Sequence, residues 1–131
     1  MKINEVIVNV PKFRLPVIET GDTPYYHGTH ATYTGVPRIS PTGIYGPGIY
    51  LTRSAKHAES FGPIVKEYRV YGKLGSDHDL TDALNMAKDE DYVRKEKYER
   101  ATSILINHGF SGIQDGLTTV IFSPDSIIPS D

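Results

Sequence analysis

The sequence predicts an α+β fold of mostly antiparallel strands with a few short helices. Three observations predict it. Short β-branched or aromatic runs outnumber helical ones. The two kinds do not alternate regularly, as a parallel sheet with crossover helices would require. A long Gly- and Pro-rich stretch also interrupts the first half of the chain. The chain of 131 residues has the size of one domain, so a single domain over residues 1–131 is expected. Hydrophobic residues at 38% and charged residues at 23% fit a globular chain and not a disordered one.

The elements follow in order. Glu5-Val6-Ile7-Val8-Asn9-Val10 is β-branched and stops at Pro11. Tyr25-Tyr26-His27 reads as a short aromatic strand ending at Gly28. Residues 35–48 hold Pro37, Pro41 and Pro47 with Gly43 and Gly46, a composition that breaks both regular structures and predicts a shaped loop. Gly48-Ile49-Tyr50-Leu51 is a further strand. Thr52 is placed to cap a helix over 53–61, with Ala55, Ala58 and Phe61 on one face. From 67 to 74, Tyr68, Val70, Gly72 and Leu74 alternate with Glu67, Arg69, Tyr71 and Lys73, the period of a half-buried strand. Asp79 or Thr81 can cap a short helix running to Lys88. A longer helix is predicted from about 91 to 108, with Tyr98, Ala101 and Leu105 on its buried stripe and Gly109 as its stop. Thr118-Thr119-Val120-Ile121-Phe122 is a last strand, closed by Pro124.

Composition excludes several function classes. The net charge of −2 argues against a domain that grips nucleic acid or anionic membrane mainly by charge. With no Cys there are no disulfides, zinc thiolates or cysteine nucleophile. No apolar run approaches the roughly 20 residues that span a bilayer. Met1-Lys2-Ile3-Asn4-Glu5 carries an early acid and no apolar stretch, so a cytoplasmic protein is expected. No Gly-x-Gly-x-x-Gly or Walker loop occurs. His30, His57, His78 and His108 lack metal-ligand spacing, so no metal is expected and most of these residues read as surface.

Three segments can carry chemistry. In Tyr25-Tyr26-His27-Gly28-Thr29, an imidazole ends a strand. The missing Cβ of Gly28 lets a ligand reach backbone N–H and C=O groups, the complement of a carboxamide. In Thr42-Gly43-Ile44-Tyr45-Gly46-Pro47-Gly48-Ile49-Tyr50-Leu51-Thr52, a tight loop enters a strand and Tyr50 offers a flat face and a hydroxyl. On the following helix, Ala58 leaves room and Phe61 supplies a second ring. Each segment alone reads more readily as a turn, a core aromatic or a core helix face than as a site.

Their order resembles the ADP-ribosyltransferase superfamily, in the branch named for its His-Tyr-Glu triad. That branch includes diphtheria-toxin-like toxins, poly(ADP-ribose) polymerases and small rifampin ADP-ribosyltransferases. Tyr26-His27-Gly28-Thr29 looks like its first motif, and Thr42-Gly43 through Gly48-Ile49-Tyr50-Leu51 like its second. The tail, Gly109-Phe110-Ser111-Gly112-Ile113 and then Thr118 to Ile127, looks like the end of such domains in phage and mobile-element polyvalent proteins. The resemblance implies a split of two mostly antiparallel sheets with an NAD cleft between them. It implies NAD as co-substrate, with His27 on the adenosine-side ribose, Gly28 holding the carboxamide and Thr29 near the nicotinamide-side ribose. Tyr50 and Phe61 would stack on nicotinamide, with Leu51 and Ala58 completing the pocket. The loop 35–48 would cover the dinucleotide. The implied reaction is attack at C1 of the nicotinamide ribose, with release of nicotinamide.

The family's third motif usually opens with Glu, which favours the cationic transition state. Here Thr118 takes that register, and losing the charge costs on the order of a hundredfold in rate. Asp115, or less suitably Gln114, lies just upstream as a substitute. The expected protein is a phage or bacterial effector, monomeric, with a protein acceptor and no membrane partner. The alternative is a module that binds NAD or ADP-ribose without transferring it.

Overall fold

The computed structural model describes residues 16–41, 43–87 and 94–130. The elements are β1 (Val17–Thr29), β2 (Ile49–Thr52), α1 (Ala55–Glu59), β3 (Ile64–Gly75), α2 (Asp77–Ala87), α3 (Arg94–Asn107), β4 (Gly112–Asp115), β5 (Thr118–Ile121) and β6 (Ile127–Pro129). A short 3-10 turn, Pro124–Ser126, precedes β6. The fold is α+β. The strand expected at 5–10, residue 42 and the segment 88–93 lie outside the described residues.

The sheet departs from the two-sheet split. The described strands form one sheet in the order β1-β2-β5-β4-β3-β6, and β1 also pairs with β3, closing five of them into a small barrel. The reason is the length of β1. It pairs antiparallel with β3 from Val17↔Leu74 to Thr29↔Ile64, and its Tyr26 also meets Thr52 of β2. Strand β1 thus belongs to both walls, and the described strands leave no second sheet. Among the described strands, only β3 and β4 run parallel, joined through α2 and α3.

β1 is far longer than the expected three-residue strand. Thr20-Gly21-Asp22-Thr23-Pro24 forms an irregularity between two stretches of one strand, where the register shifts. β4 and β6, too short to show a period, were not anticipated.

Two apolar clusters hold the layers together. Tyr25, Ile49, Leu51, Tyr68, Val70, Leu74, Ile121 and Ile127 pack inside the barrel. Leu80, Ala83, Ala101, Leu105, Phe110, Ile113 and Val120 join α2 and α3 to the outside of β4 and β5. Val120 and Ile121 serve opposite clusters, as successive strand residues must. Each large side chain fully buried in this way contributes about 1.5–3 kcal/mol relative to exposure.

The helix ends are chemically explicit. In α1 the cap is Ser54, whose side chain accepts from the His57 amide at 3.0 Å, and not Thr52. Thr52 Oγ1 accepts from the Ser54 N–H instead. α2 begins with a reciprocal box, not with Asp79 or Thr81 as the cap. The Ser76 amide donates to Asp79 Oδ2 at 2.8 Å, and the Asp79 amide donates to Ser76 Oγ at 3.3 Å. Gly109 ends α3 as expected, with its N–H on the Ile106 carbonyl and that of Phe110 on Leu105.

Candidate functional site

β1 and β2 share one paired position, Tyr26↔Thr52. Past it the strands no longer pair, and a cleft of about 420 Å³ lies between them. Its walls come from Tyr26, His27 and Gly28 of β1, Tyr50, Leu51 and Thr52 of β2, and Thr118 at the start of β5. Ser40, Gly43 and Ile44 of the long loop, with His57 and Phe61 from α1 and the turn after it, complete the lining.

His27, Gly28, Tyr50, Leu51, Phe61 and Thr118 therefore meet in one place, although they are spread over more than half of the chain. His27 Nδ1 lies 3.0 Å from the Tyr50 carbonyl oxygen. A carbonyl only accepts, so Nδ1 carries the proton and Nε2 of the neutral ring is left as an acceptor. The ring of Tyr33 packs edge-on to His27 at 5.9 Å.

Gly28 has a structural requirement besides any ligand. A Cβ there would collide with the backbone carbonyl of Ala58, so the bare strand lets α1 seat directly on β1. This also corrects the part assigned to Ala58. It is fully buried where α1 meets β1 and does not line the cleft. Ala55 is exposed, so the expected apolar face reduces to Ala58. Phe61 lies beyond the end of α1, 60% exposed, its ring edge-on to His57 at 5.2 Å. An aromatic left this open in a cleft wall gains little from the core and is available to a ligand.

Tyr50 is clasped by its own loop. Its hydroxyl donates to the Gly46 carbonyl at 2.6 Å and accepts from the Tyr45 amide at 2.9 Å. Burial pushes its pKa up, offset in part by the Tyr45 amide. Gly43 must be bare because a Cβ there would meet the Tyr50 hydroxyl. Backbone bonds between Ser40 and Gly48, at 2.8 and 3.0 Å, close the second part of the loop.

Two further expectations change. Thr29 does not line the cleft, and its hydroxyl accepts from the Ala31 amide at 3.2 Å. Asp115 does not line it either, because its carboxylate receives the hydroxyl of Tyr45. Thr118, opposite Asp115 in the β4–β5 register, lines the cleft instead. Gln114 pairs with Thr119 on the same ladder.

Ser40 and His57 line the cleft from outside the singled-out segments, and Tyr26, Ile44 and Thr52 line it from within them without having been given a role. The i,i+4 spacing of His57 and Phe61 was the available signal, since it sets two rings side by side on a helical turn. Among the described residues lining the cleft, none is a carboxylate, a lysine or an arginine. Among the described residues, no three His, Cys, Asp or Glu side chains are placed to hold a metal ion, and no helix is long and apolar enough to cross a membrane.

The fold and site thus define an α+β protein with a small closed barrel and a neutral, aromatic cleft where two of its strands part. No protein-family model matches the chain, and no curated protein sequence matches it. Among solved structures, it is similar to an anti-CRISPR protein, with a TM-score of 0.50 and 17% identity over 83% of this chain and 97% of that one. At that identity the likeness concerns the fold alone.

Proposed function

We propose that this protein is an NAD-dependent ADP-ribosyltransferase that uses the cleft between β1 and β2. One observation carries the proposal. The motif residues His27, Gly28, Tyr50, Leu51, Phe61 and Thr118 converge on a single cavity. Its volume of about 420 Å³ falls in the usual range for small-molecule sites. Its uncharged lining suits the nicotinamide–ribose end of NAD better than the diphosphate.

The geometry supports the following roles. Tyr50 and Phe61 offer two rings to a flat heterocycle. His27, with Nδ1 committed to the Tyr50 carbonyl, offers Nε2 to a ribose hydroxyl that donates. In the reaction, a nucleophile on the acceptor bonds to C1 of the nicotinamide ribose as the C1–N bond breaks. The bonding pair leaves with nicotinamide, whose ring becomes neutral, and the acceptor's proton passes to solvent. The protein contributes orientation of the leaving group and of the ribose.

A second reading has its own support. Thr118 brings no charge to the cleft, and the Asp115 carboxylate is engaged by Tyr45. A pocket of that kind suits binding of NAD or ADP-ribose without transfer. Incubation with labelled NAD and a bacterial lysate separates the two. Nicotinamide release and label transfer that vanish in Tyr50→Ala support the transferase. Saturable NAD binding without release supports the binding module. The fold likeness makes CRISPR components one set of acceptors to include, as would suit an effector.

A further inference from the structure

Tyr45 stands where the long loop touches β4. Its hydroxyl donates to Oδ2 of Asp115, while its backbone N–H donates to the Tyr50 hydroxyl at 2.9 Å. The Tyr50 hydroxyl in turn donates to the Gly46 carbonyl at 2.6 Å. Gly46, at φ +91°, lies against the ring of Tyr98 on α3, where a Cβ would approach to 2.9 Å. The turn that grips Tyr50 is therefore pinned on one side by β4 and seated on the other against α3.

We propose that Asp115 acts through Tyr45, the two forming a latch that holds the 43–46 turn and so fixes the Tyr50 ring as a wall of the cleft. Both are positioning residues, and the purpose of the latch rests on the NAD reading above. Three features favour this over direct action of Asp115 on substrate. Its carboxylate has a partner, it does not line the cleft, and its neighbour in the register does. The latch also gives a role to a tyrosine in a loop otherwise rich in Gly and Pro.

The test compares Tyr45→Phe, Asp115→Asn, Asp115→Ala and the double variant Tyr45→Phe/Asp115→Ala. Asn keeps a carbonyl oxygen that accepts from Tyr45, so it preserves the latch while removing the charge. Tyr45→Phe is expected to raise KM for NAD about tenfold with kcat near wild type, the scale of losing one hydrogen bond to a carboxylate. Asp115→Ala is expected to match it and the double variant to be no worse, as members of one contact behave. Asp115→Asn stays within about twofold of wild type on the same reasoning. If Asp115→Asn loses kcat as badly as Asp115→Ala while Tyr45→Phe keeps wild-type kinetics, the carboxylate acts on substrate and the latch proposal is overturned.

Amide hydrogen exchange at Tyr45 reads the latch without NAD. Exchange is expected to be slow in wild type and Asp115→Asn and faster in Tyr45→Phe and Asp115→Ala. A chain that neither binds nor cleaves NAD removes the functional reading and leaves this exchange test intact. Unchanged exchange in Tyr45→Phe removes the latch whatever NAD does.

Discussion

The imidazole of His27 donates from Nδ1 to the backbone carbonyl of Tyr50 across 3.0 Å, joining the two motif residues at the point where their strands cease to pair. The bond sets the tautomer and leaves one acceptor nitrogen. His27→Ala removes both the bond and that acceptor. Nicotinamide release is expected to fall on the order of a hundredfold, the scale of removing a preorganised polar group from a reacting site. Stability should fall by only about 1 kcal/mol, as for one lost hydrogen bond. Steady-state kinetics and a thermal melt on the same sample check this. Unchanged release would remove His27 from the site.

Gly28→Ala tests packing. The added methyl has nowhere to go but into the Ala58 carbonyl, and backbone cannot rotate aside like a side chain. A loss of about 1–3 kcal/mol in urea denaturation is expected, the usual range for overpacking. A neutral result would mean that α1 sits less firmly on β1 than described.

The Ser76–Asp79 box should behave as a cap. Asp79 is fully buried, and its carboxylate holds both the amide and the hydroxyl of Ser76. Asp79→Ala is expected to cost about 1–2 kcal/mol through the start of α2. NAD binding should be unchanged, because α2 contributes nothing to the cleft lining. Chemical denaturation and a binding isotherm read the two effects separately.

Alkaline pH should weaken the Tyr45–Asp115 contact. Tyr45 is pushed up to about 12, first by its hydrogen bond to Asp115, then by burial and by the charges of Asp115, Asp77 and Tyr50. An unfolded tyrosine ionises near its ordinary value of 10. Between those values the unfolded chain has given up the proton and the folded chain retains it. This contribution is therefore complete below pH 10 and is lost as pH rises towards about 12. Wild-type stability should fall more steeply across that window than Tyr45→Phe. Parallel curves would show that the contact does not form in solution.

Parts of this fold were legible in the sequence because a single local rule decided them. The alternation of Tyr68, Val70 and Leu74 predicts β3, and all three are buried. Gly109 ends α3 because its φ of +87° suits glycine. Six residues singled out in the sequence, His27, Gly28, Tyr50, Leu51, Phe61 and Thr118, line one cleft. Long-range pairing was not legible. Nothing local in Thr20-Gly21-Asp22-Thr23-Pro24 reveals that β3 lies alongside and carries the strand through. Nor does spacing reveal that Tyr45 would reach Asp115, 70 residues later, and draw that carboxylate from the cleft. Thr29 and Ala58 were misplaced for a related reason. The sequence puts them beside the pocket, but backbone packing decides which side of the strand or helix faces it.

The central claim is that the cleft binds NAD through its aromatic walls, and Phe61 tests it most directly. Phe61 is 60% exposed, so Phe61→Ala should alter stability by no more than about 0.5 kcal/mol. The measurement is calorimetric titration of NAD into wild type and Phe61→Ala, side by side. Wild type is expected to bind NAD saturably, one to one. Affinity should be about tenfold weaker in the variant, in keeping with the loss of one stacked ring. Equal affinity in both proteins, or no binding by wild type, would contradict it.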